Sequence, residues 1–385
     1  MVRKLVSRPR YDFMKTLSYF LYLVSGAFML VSCKAQESTG SLQTQRLSVA
    51  DSLAGGPLHY ASEVHLKDVR QLTYGGNNAE AYWSFGGKHL IFQSDNKRWG
   101  VGCDQIFILG VDQQADSSRK QIISTGRGRT TCSYFMPGDS TIVYASTHLS
   151  HNECPPVPER KPGRYVWPIY AEYDIFVADR KGQIVKQLTN EPGYDAEAVV
   201  SPKGDKIVFT SMRSGDLELW IMNIDGTGLR QVTNTPGYDG GASFSPDGKK
   251  LVWRASRPQG DELVKYQELL RENLVEPSAL EIFTANVDGS DQRQVTSLGK
   301  ANWAPVFDPS GKKILFSSNH HAARGFQFNI FSIGADGQGL EQITYDKTFD
   351  SFPMFSPDGR RLAFCSNRHN GRTYDTNVFV ADWKK

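Results

Sequence analysis

The sequence predicts an all-β fold, a six-bladed β-propeller with four-stranded blades, and three observations lead to this prediction. A unit of roughly 45 residues recurs six times, and repeats of that length built from four short strands are typical of propeller blades. Each copy divides into four strand-like segments separated by turn residues. The first copy begins with a segment of the fourth kind and the last copy ends with one of the third kind, so the two ends complement each other.

Two consecutive copies show the repeat most clearly. Residues 188–231 are "LTNEPGYDAEAVVSPKGDKIVFTSMRSGDLELWIMNIDGTGLRQ", and residues 232–262 continue with "VTNTPGYDGGASFSPDGKKLVWRASRPQGDE". In each copy a run of small residues leads into an S-P-D-G turn, an alternating strand follows, a third strand ends in a D-G turn, and a segment such as "RQVT" completes the unit. The other copies contain "LTYGGNNAEAYWSFGGKHLIFQS", "ISTGRGRTTCSYFMPGDSTIVYAS", "VTSLGKANWAPVFDPSGKKILFSS" and "ITYDKTFDSFPMFSPDGRRLAFCS".

The ends of the repeat region predict how the ring closes. The segment "VRQLT" (69–73) is a fourth-type strand with no partner strands before it, and "TNVFVADW" (376–383) is a third-type strand with nothing after it. We therefore expect the first strand to complete the last blade, an arrangement that avoids a long exposed edge.

These motifs also carry a family resemblance. The S-P-D-G turn, the strand end similar to F-x-S-x-R, the D-G turn and the closing "RQLT" resemble the TolB-type propeller repeat, which also occurs in the propeller domains of prolyl-oligopeptidase-like enzymes. The resemblance spans residues from about 65 to 385 and implies the architecture, while it says little about activity. Two copies depart from the turn, with "SFGG" and "MPGD" in its place.

The N-terminal region has the pattern of an export signal. Basic residues precede the apolar run "LSYFLYLVSGAFML", and the following "LVSC" resembles a bacterial lipobox. We expect a signal peptide over residues 1–32, lipid attachment at Cys33, a flexible tether over 33–64 and the propeller over 65–385. This predicts a lipid-anchored protein of the bacterial cell envelope, at the outer membrane, facing the periplasm or the outside. An ordinary secretory signal is the alternative, and translation starts at Met1 or Met14.

The charge of the chain argues against a nucleic-acid partner. Residues 1–32 contain five of the 44 basic and one of the 41 acidic residues, so the remaining chain has 39 basic and 40 acidic residues and a net charge of −1. The apparent basicity belongs to the signal segment, and no basic patch for a phosphate backbone is evident.

The propeller prediction sorts the loops onto two faces. First-to-second and third-to-fourth connections are tight turns on one side, here the tight-turn face, whereas the fourth-to-first and second-to-third loops lie on the other, here the insertion face. Both long insertions, residues 148–172 and 261–279, fall on the insertion face, and the second predicts an amphipathic helix. Because function concentrates in loops on a rigid scaffold, we expect a recognition surface there. Its candidate residues are His148, His151, Tyr165, Trp167, Arg213, Arg257, His320, His321, Arg368 and His369.

Polar residues at the starts of the first strands are candidates for the mouth of the central channel. They are Glu80, Asp195, Glu197, Asp239, Asn302 and Asp350. Acids at equivalent positions of several blades favour hydrogen bonds between neighbouring blades. The alternative is a ligand or cation site, and a ring of carboxylate and carbonyl oxygens would suit calcium better than zinc.

The cysteines around the blade-two insertion predict a disulfide. Cys103, Cys132 and Cys154 should lie towards the insertion face, so a bond from Cys132 to Cys154, or from Cys103 to Cys132, would fasten the insertion. The stretch "HLSHNEC" also contains zinc-type ligands, but a metal site is the less economical explanation because these residues lie in one proline-led loop that fixes no coordination geometry.

The sequence favours a binding function over catalysis. It contains no G-x-S-x-G elbow, no H-E-x-x-H motif and no phosphate-binding glycine loop. We therefore expect a non-catalytic scaffold without a required cofactor that binds an envelope protein. Two alternatives stay open: a lyase or hydrolase acting on an envelope saccharide or peptide at the channel mouth, with histidine as base and arginine as anion clamp, and a ligand- or metal-binding sensor.

Overall fold

Six antiparallel sheets follow one another along the chain. The computed structural model describes residues 56–112, 121–158, 164–323, 325–370 and 373–385. Blades one to six are the sheets β2-β3-β4, β5-β6-β8-β9, β10-β11-β12-β13, β14-β15-β17-β18, β19-β20-β21-β22 and β23-β24-β25-β1, whose bounds follow. The six-bladed, all-β propeller predicted from the repeat is confirmed.

The strands in chain order are β1 Leu66–Gln71, β2 Asn78–Trp83, β3 His89–Ser94, β4 Gln105–Gly110, β5 Thr130–Phe135, β6 Thr141–Ser146, β7 Trp167–Pro168, β8 Asp174–Asp179, β9 Ile184–Gln187, β10 Asp195–Val200, β11 Lys206–Ser211, β12 Glu218–Asn223, β13 Arg230–Gln231, β14 Asp239–Phe244, β15 Lys250–Ala255, β16 Leu274–Val275, β17 Glu281–Asn286, β18 Arg293–Gln294, β19 Asn302–Phe307, β20 Lys313–Ser318, β21 Asn329–Gly334, β22 Glu341–Gln342, β23 Asp350–Phe355, β24 Arg361–Ser366 and β25 Asn377–Trp383. The helices of the described residues are α1, Asp261–Arg271, and a single 3₁₀ turn, Lys97–Trp99. None of the helices in these residues is long and apolar enough to cross a membrane.

Blades six and one differ from the other four. In blade six the outer strand is β1, which pairs antiparallel with β25 so that Leu66 lies opposite Trp383 and Gln71 opposite Phe379. The last blade is thus assembled from both ends of the described chain. In blade one the fourth position is an isolated antiparallel bridge between Phe107 and Ile122.

Every first strand contains the same irregularity near its insertion-face end. Its pairing with the second strand slips between the second and fifth residues. The third residue has a positive φ of 45° to 61° in all six strands. These residues are Glu80, Cys132, Glu197, Gly241, Ala304 and Phe352. Because a left-handed backbone costs a non-glycine residue about 1–2 kcal/mol, five of the six sequences do not favour this bulge locally, and the contacts of the folded ring must stabilise it.

Apolar side chains fill the spaces between neighbouring sheets. Between blades three and four, Val208 and Ile221 pack with Phe244 and Trp253, and all four are less than a tenth exposed. Burying a side chain of this kind contributes about 1.5–3 kcal/mol, so packing between blades supplies much of the stability of the ring.

Residues before β1 are docked on blade six. Glu63 is fully buried, and its carboxylate accepts hydrogen bonds from both terminal nitrogens of Arg368, at 3.0 and 2.8 Å. Arg368 also donates to Asp350 at 2.9 Å, and the ring of His369 hydrogen-bonds with the carbonyl oxygen of Gly56 at 2.6 Å. The segment expected to end a flexible tether therefore belongs to the propeller, which begins before residue 65. The predicted signal, Cys33 and tether residues up to 55 lie outside the described residues.

Replacing Glu63 with alanine tests this attachment. Glu63→Ala leaves the buried guanidinium of Arg368 with one carboxylate partner instead of two, and breaking a buried ion pair costs about 3–5 kcal/mol. Because Asp350 stays in place, we expect the free energy of unfolding to fall by about 3 kcal/mol in equilibrium urea unfolding.

The matched control removes an acid from an exposed ion pair. Glu276 accepts from Arg164 at 2.7 Å, with side chains 34% and 39% exposed, so Glu276→Ala should cost at most about 1 kcal/mol. Equal losses for the two variants would contradict the assigned role of Glu63.

Candidate functional site

Three predicted mouth acids form buried ion pairs with three predicted recognition arginines. The acid is the first residue of a first strand, and the arginine follows the second strand of the same blade. The pairs are Arg213 with Asp195 (2.7 Å), Arg257 with Asp239 (2.8 and 2.9 Å) and Arg368 with Asp350 (2.9 Å). Burial raises the pKa of each of these aspartates, and the arginine opposes this. Each of these pairs joins two strands within one blade. The expected hydrogen bonds between neighbouring blades are also present, since Asp350 accepts from Asn329 of blade five at 3.2 Å.

The loops that follow the second strands share one hydrogen-bond pattern. In five blades the second strand ends in serine, whose hydroxyl accepts from the backbone N–H two residues later. In blade five the Ser318 hydroxyl also donates to Asn302 at 2.6 Å and lies 2.8 Å from Nδ1 of His320. His148 is 4% exposed and packs on Phe176 with ring centroids 4.4 Å apart, so it does not lie at an open rim. Burial lowers the pKa of His148 and of His320.

The other predicted recognition residues have mixed environments. His321 hydrogen-bonds with the side-chain oxygen of Asn329 at 2.9 Å, His369 is held by Gly56, and His151 is half-buried beside prolines of the insertion. Tyr165 is 60% exposed. Of this group, Tyr165 is the residue most available to a partner.

The two insertions form a cap over the insertion-face end of the channel. Strand β7 of the blade-two insertion pairs with β16, which follows α1 in the blade-four insertion. Trp167 of β7 packs on Trp303 at 5.1 Å between ring centroids, and Trp303 stacks on Phe328 at 4.2 Å. The Tyr266 hydroxyl of α1 donates to Asp216 at 2.5 Å. The predicted helix is confirmed but ends at Arg271. Its Tyr266 and Leu270 pack in the core cluster beneath it, whereas Val264 is 51% exposed.

A disulfide fastens the blade-two insertion, but the predicted pairing was wrong. The bond joins Cys103 to Cys154, with a Cα–Cα distance of 5.9 Å, and so connects the insertion-face loops of blades one and two. Cys132 was expected to bond with Cys154 or Cys103. Instead it is the left-handed third residue of β5, lines the channel and is a buried free thiol.

A polar cluster lies inside the channel. Glu80, Cys132 and Glu197 line a narrow central cavity, together with Arg254 of β15. Arg254 reaches the cavity across Gly241, where an added Cβ would lie 2.0 Å from its Nη1. Gly241 has a φ of +61°, a value that other residues also adopt at this position in the five other first strands, so it is the space filled by Arg254 that requires glycine here.

Arg254 and Glu197 form the fixed part of this cluster. Arg254 donates to Glu197 and, at 2.7 Å, to the Tyr238 hydroxyl. Glu197 also accepts from Thr210 at 2.7 Å and from the backbone N–H of Gly241 at 2.8 Å. Burial pushes the pKa of Glu197 up, but the charge of Arg254 and these hydrogen bonds hold it below the usual value.

Glu80 is the less satisfied carboxyl group. Its Oε2 is buried and has no hydrogen-bond partner, while its carboxyl group hydrogen-bonds with the Cys132 thiol. Burial, aided by the negative charge of Glu197, raises the pKa of Glu80 to about 7. Burial also raises the pKa of Cys132 well above its ordinary value, so this thiol stays protonated. Glu80 therefore changes its charge near neutral pH.

The channel widens at the tight-turn face into an apolar depression. Its empty volume, open solvent included, is about 1140 Å³, and Tyr134, Val199, Ser243, Val306 and Met354 line both it and the narrow cavity. Aromatic and proline side chains at the ends of the first strands form its walls. They include Phe85, Phe244, Phe307, Phe355, Pro202, Pro246, Pro309 and Pro357.

The described residues offer no evident metal centre. No group of three or more histidine, cysteine or acidic side chains within these residues is arranged to hold a metal ion. The aspartates on which the calcium expectation depended are each paired with an arginine.

Sequence reasoning placed Glu80 and Glu197 near the channel but missed Arg254 and Tyr238. A signal for Arg254 was present, because the fifth residue of the second strand is Gln93, Ala145, Thr210, Ser317 or Cys365 in the other copies. The large basic residue occurs in the same copy that has glycine at the third position of its first strand. Aligning these two columns would have indicated a side chain that fills the space above Gly241.

Comparison with known proteins agrees with this architecture. Residues 170–274 match the family model of the TolB beta propeller domain. The repeat in these residues is of the TolB type. The matched segment includes blade three entirely and most of the blade-four insertion, but only residues 170–172 of the blade-two insertion. No curated protein sequence matches the chain significantly.

Solved structures show the same fold at low sequence identity. A protein from Agrobacterium tumefaciens described as TolB has a TM-score of 0.52 and 18% identity, over 80% of this chain and 91% of that one. TolB from Acinetobacter baumannii gives 0.50 and 16%, over 80% and 64%. A gluconolactonase from Xanthomonas campestris gives 0.52 and 16%, over 86% and 98%. These similarities establish the propeller fold and leave the activity open.

The carboxyl group of Glu80 should make stability depend on pH. With a folded pKa of about 7 and an unfolded value near 4.5, the folded state binds the proton more tightly, so stability falls as pH rises between these values. Glu80→Gln removes this loss of stability. The free energy of unfolding of the variant, relative to that of the original protein, should therefore be greater at pH 8 than at pH 5 by on the order of 3 kcal/mol. Urea unfolding of both proteins from pH 5 to pH 8 measures the difference, and a constant difference would contradict the assigned titration.

Proposed function

We propose that this protein is a lipid-anchored protein of the bacterial envelope whose TolB-type propeller is a non-catalytic scaffold, binding an envelope protein through the insertion face. The single observation that carries this proposal is the distribution of exposed apolar side chains. Eight of the thirteen large exposed apolar residues among the described residues lie on insertion-face loops. They are Tyr74, Leu149, Val157, Tyr165, Val264, Phe326, Tyr345 and Tyr374.

The most exposed of these residues are aromatic. Tyr374 is 94% exposed and Phe326 is 84% exposed, so each leaves nearly all of its side chain in water. Exposed apolar residues gathered on one face are typical of an interaction surface, and aromatic residues supply much of the binding energy in protein interfaces. The cap on the same face is braced by the disulfide, the β7–β16 pairing and an aromatic stack, which gives a rigid support for binding.

The docked N-terminal segment supports binding close to the membrane. Glu63 and the carbonyl of Gly56 are held by Arg368 and His369 of a second-to-third loop, so the first described residues lie at the insertion face. A lipid at Cys33 would therefore restrain the insertion face near the membrane surface. Restriction of this kind raises the effective concentration of a partner in the same membrane.

The enzymatic alternative finds less support at this face. Its proposed anion clamps, Arg213, Arg257 and Arg368, are each paired with a buried aspartate. Its proposed bases, His148 and His320, are held by serine hydroxyls. A substrate would have to displace these internal contacts.

Site-specific photocrosslinking in the source bacterium tests the scaffold proposal. A photoreactive phenylalanine analogue at Tyr165 or Phe326 should yield adducts with the same envelope protein, because both positions lie on the proposed interface. The triple variant Tyr165→Ser, Phe326→Ser and Tyr374→Ser should then bind the purified partner at least about tenfold more weakly, which corresponds to about 1.4 kcal/mol.

The control positions are exposed leucines of third-to-fourth turns. Leu229 and Leu340 are 42% and 41% exposed and lie on the tight-turn face. The analogue at these positions should give no adduct with that protein. Adducts of equal yield from both faces, or none from the insertion face, would refute the proposal.

A further inference from the structure

The central channel has the cap near one end and an open depression at the other. At the insertion face, the cap lies over it, and Trp167 of the cap is 5.5 Å from the guanidinium carbon of Arg254. At the tight-turn face the apolar depression opens and shares five lining residues with the narrow cavity. A small molecule would therefore enter from the tight-turn face and reach the polar cluster last. This route lies opposite the surface proposed for the protein partner.

The polar cluster has an excess of negative groups. Two carboxyl groups, those of Glu80 and Glu197, face one guanidinium, that of Arg254, which donates to Glu197. The buried Oε2 of Glu80 has no hydrogen-bond partner. Arg254 Nε also lacks one, but the charge of Arg254 is already balanced by Glu197. A buried acceptor without a donor is unfavourable, and a ligand that donates a hydrogen bond would satisfy it.

Aromatic rings surround the same cavity. Tyr82 and Tyr134 line it with ring centroids 5.4 Å apart, and Phe352 lines it from blade six. The faces of aromatic rings attract cations, an effect that strengthens when the cation is removed from water. Farther out, the depression offers phenylalanine and proline side chains to an apolar group.

We propose that the channel binds an organic ammonium ion with an apolar substituent, its nitrogen against the Glu80 carboxylate and its substituent in the depression at the tight-turn face. The ammonium N–H groups supply the donor that Oε2 lacks, and the positive charge balances the second carboxylate. The apolar group of a neutral alcohol fits the depression, but the alcohol has no positive charge to balance the second carboxylate. A carboxylate ligand would be repelled by Glu80 and Glu197.

Binding should release a proton from Glu80, because the cation stabilises the carboxylate form. With a pKa of about 7, the ionised fraction of Glu80 rises from about one tenth at pH 6 to about nine tenths at pH 8. Affinity should therefore increase about tenfold over this interval. The ionisable groups that influence Glu80 are Tyr82 on its own strand, Cys132, Glu197, Arg254, Asp104 and Cys365.

Isothermal titration calorimetry with hexylammonium, hexanol and hexanoate at pH 8 tests the proposal on the purified mature protein. Hexylammonium should bind with one site per chain, about tenfold more tightly at pH 8 than at pH 6. Hexanol and hexanoate should bind at least tenfold more weakly. Glu80→Gln should weaken hexylammonium binding at least tenfold and abolish its pH dependence, with an unchanged circular dichroism spectrum.

The matched control is Glu191→Gln, which removes an exposed carboxylate from a loop of the insertion face and should leave the affinity unchanged. Equal affinity of hexanol and hexylammonium, or wild-type affinity in Glu80→Gln, would overturn the proposal. The pH dependence of the wild-type protein provides a test that needs no variant, since affinity that is equal at pH 6 and pH 8 would also overturn it.

Discussion

The ion pair between the start of a first strand and the loop after the second strand determines much of what this propeller can do. In blades three, four and six, an aspartate that is at most 2% exposed meets an arginine from the same blade. An unpaired charge at this depth would be strongly unfavourable, so neither partner is free for a ligand. The pairs fix the loop entrances of the insertion face. In blade six the same arginine also holds Glu63 and thereby the segment before β1.

The two faces of the ring consequently have different chemistry. On the insertion face, the three buried aspartates are paired with arginines, and the exposed residues include large aromatic side chains such as Phe326 and Tyr374. On the tight-turn face, short turns leave the axis uncovered, so the depression gives access to a carboxyl group inside the ring. A protein surface and a small-molecule pocket can therefore coexist without competing for the same residues.

The repeat allowed the architecture to be predicted, because each blade is a local unit whose turns can be recognised from their residues. The side-chain partners were predicted less well, because they depend on contacts between copies. Cys132 was assigned to a disulfide since it begins a first strand, yet a left-handed bulge directs it to the axis, and Cys103 is the partner of Cys154. Glu63 was placed in a tether because its neighbours are small and polar, although Arg368, more than 300 residues later, binds it.

Arg254 connects the two regions of the molecule. Its guanidinium group donates to Glu197 in the channel and lies over the ring of Trp167 in the cap, at 5.5 Å. Gly241 makes this position possible, since any side chain there would occupy the space of the guanidinium. A single basic residue in one of six otherwise similar strands therefore contacts the cap and sets the charge of the polar cluster at the capped end of the channel. The departure of blade four from the repeat, and not the repeat itself, gives the axis its specific chemistry.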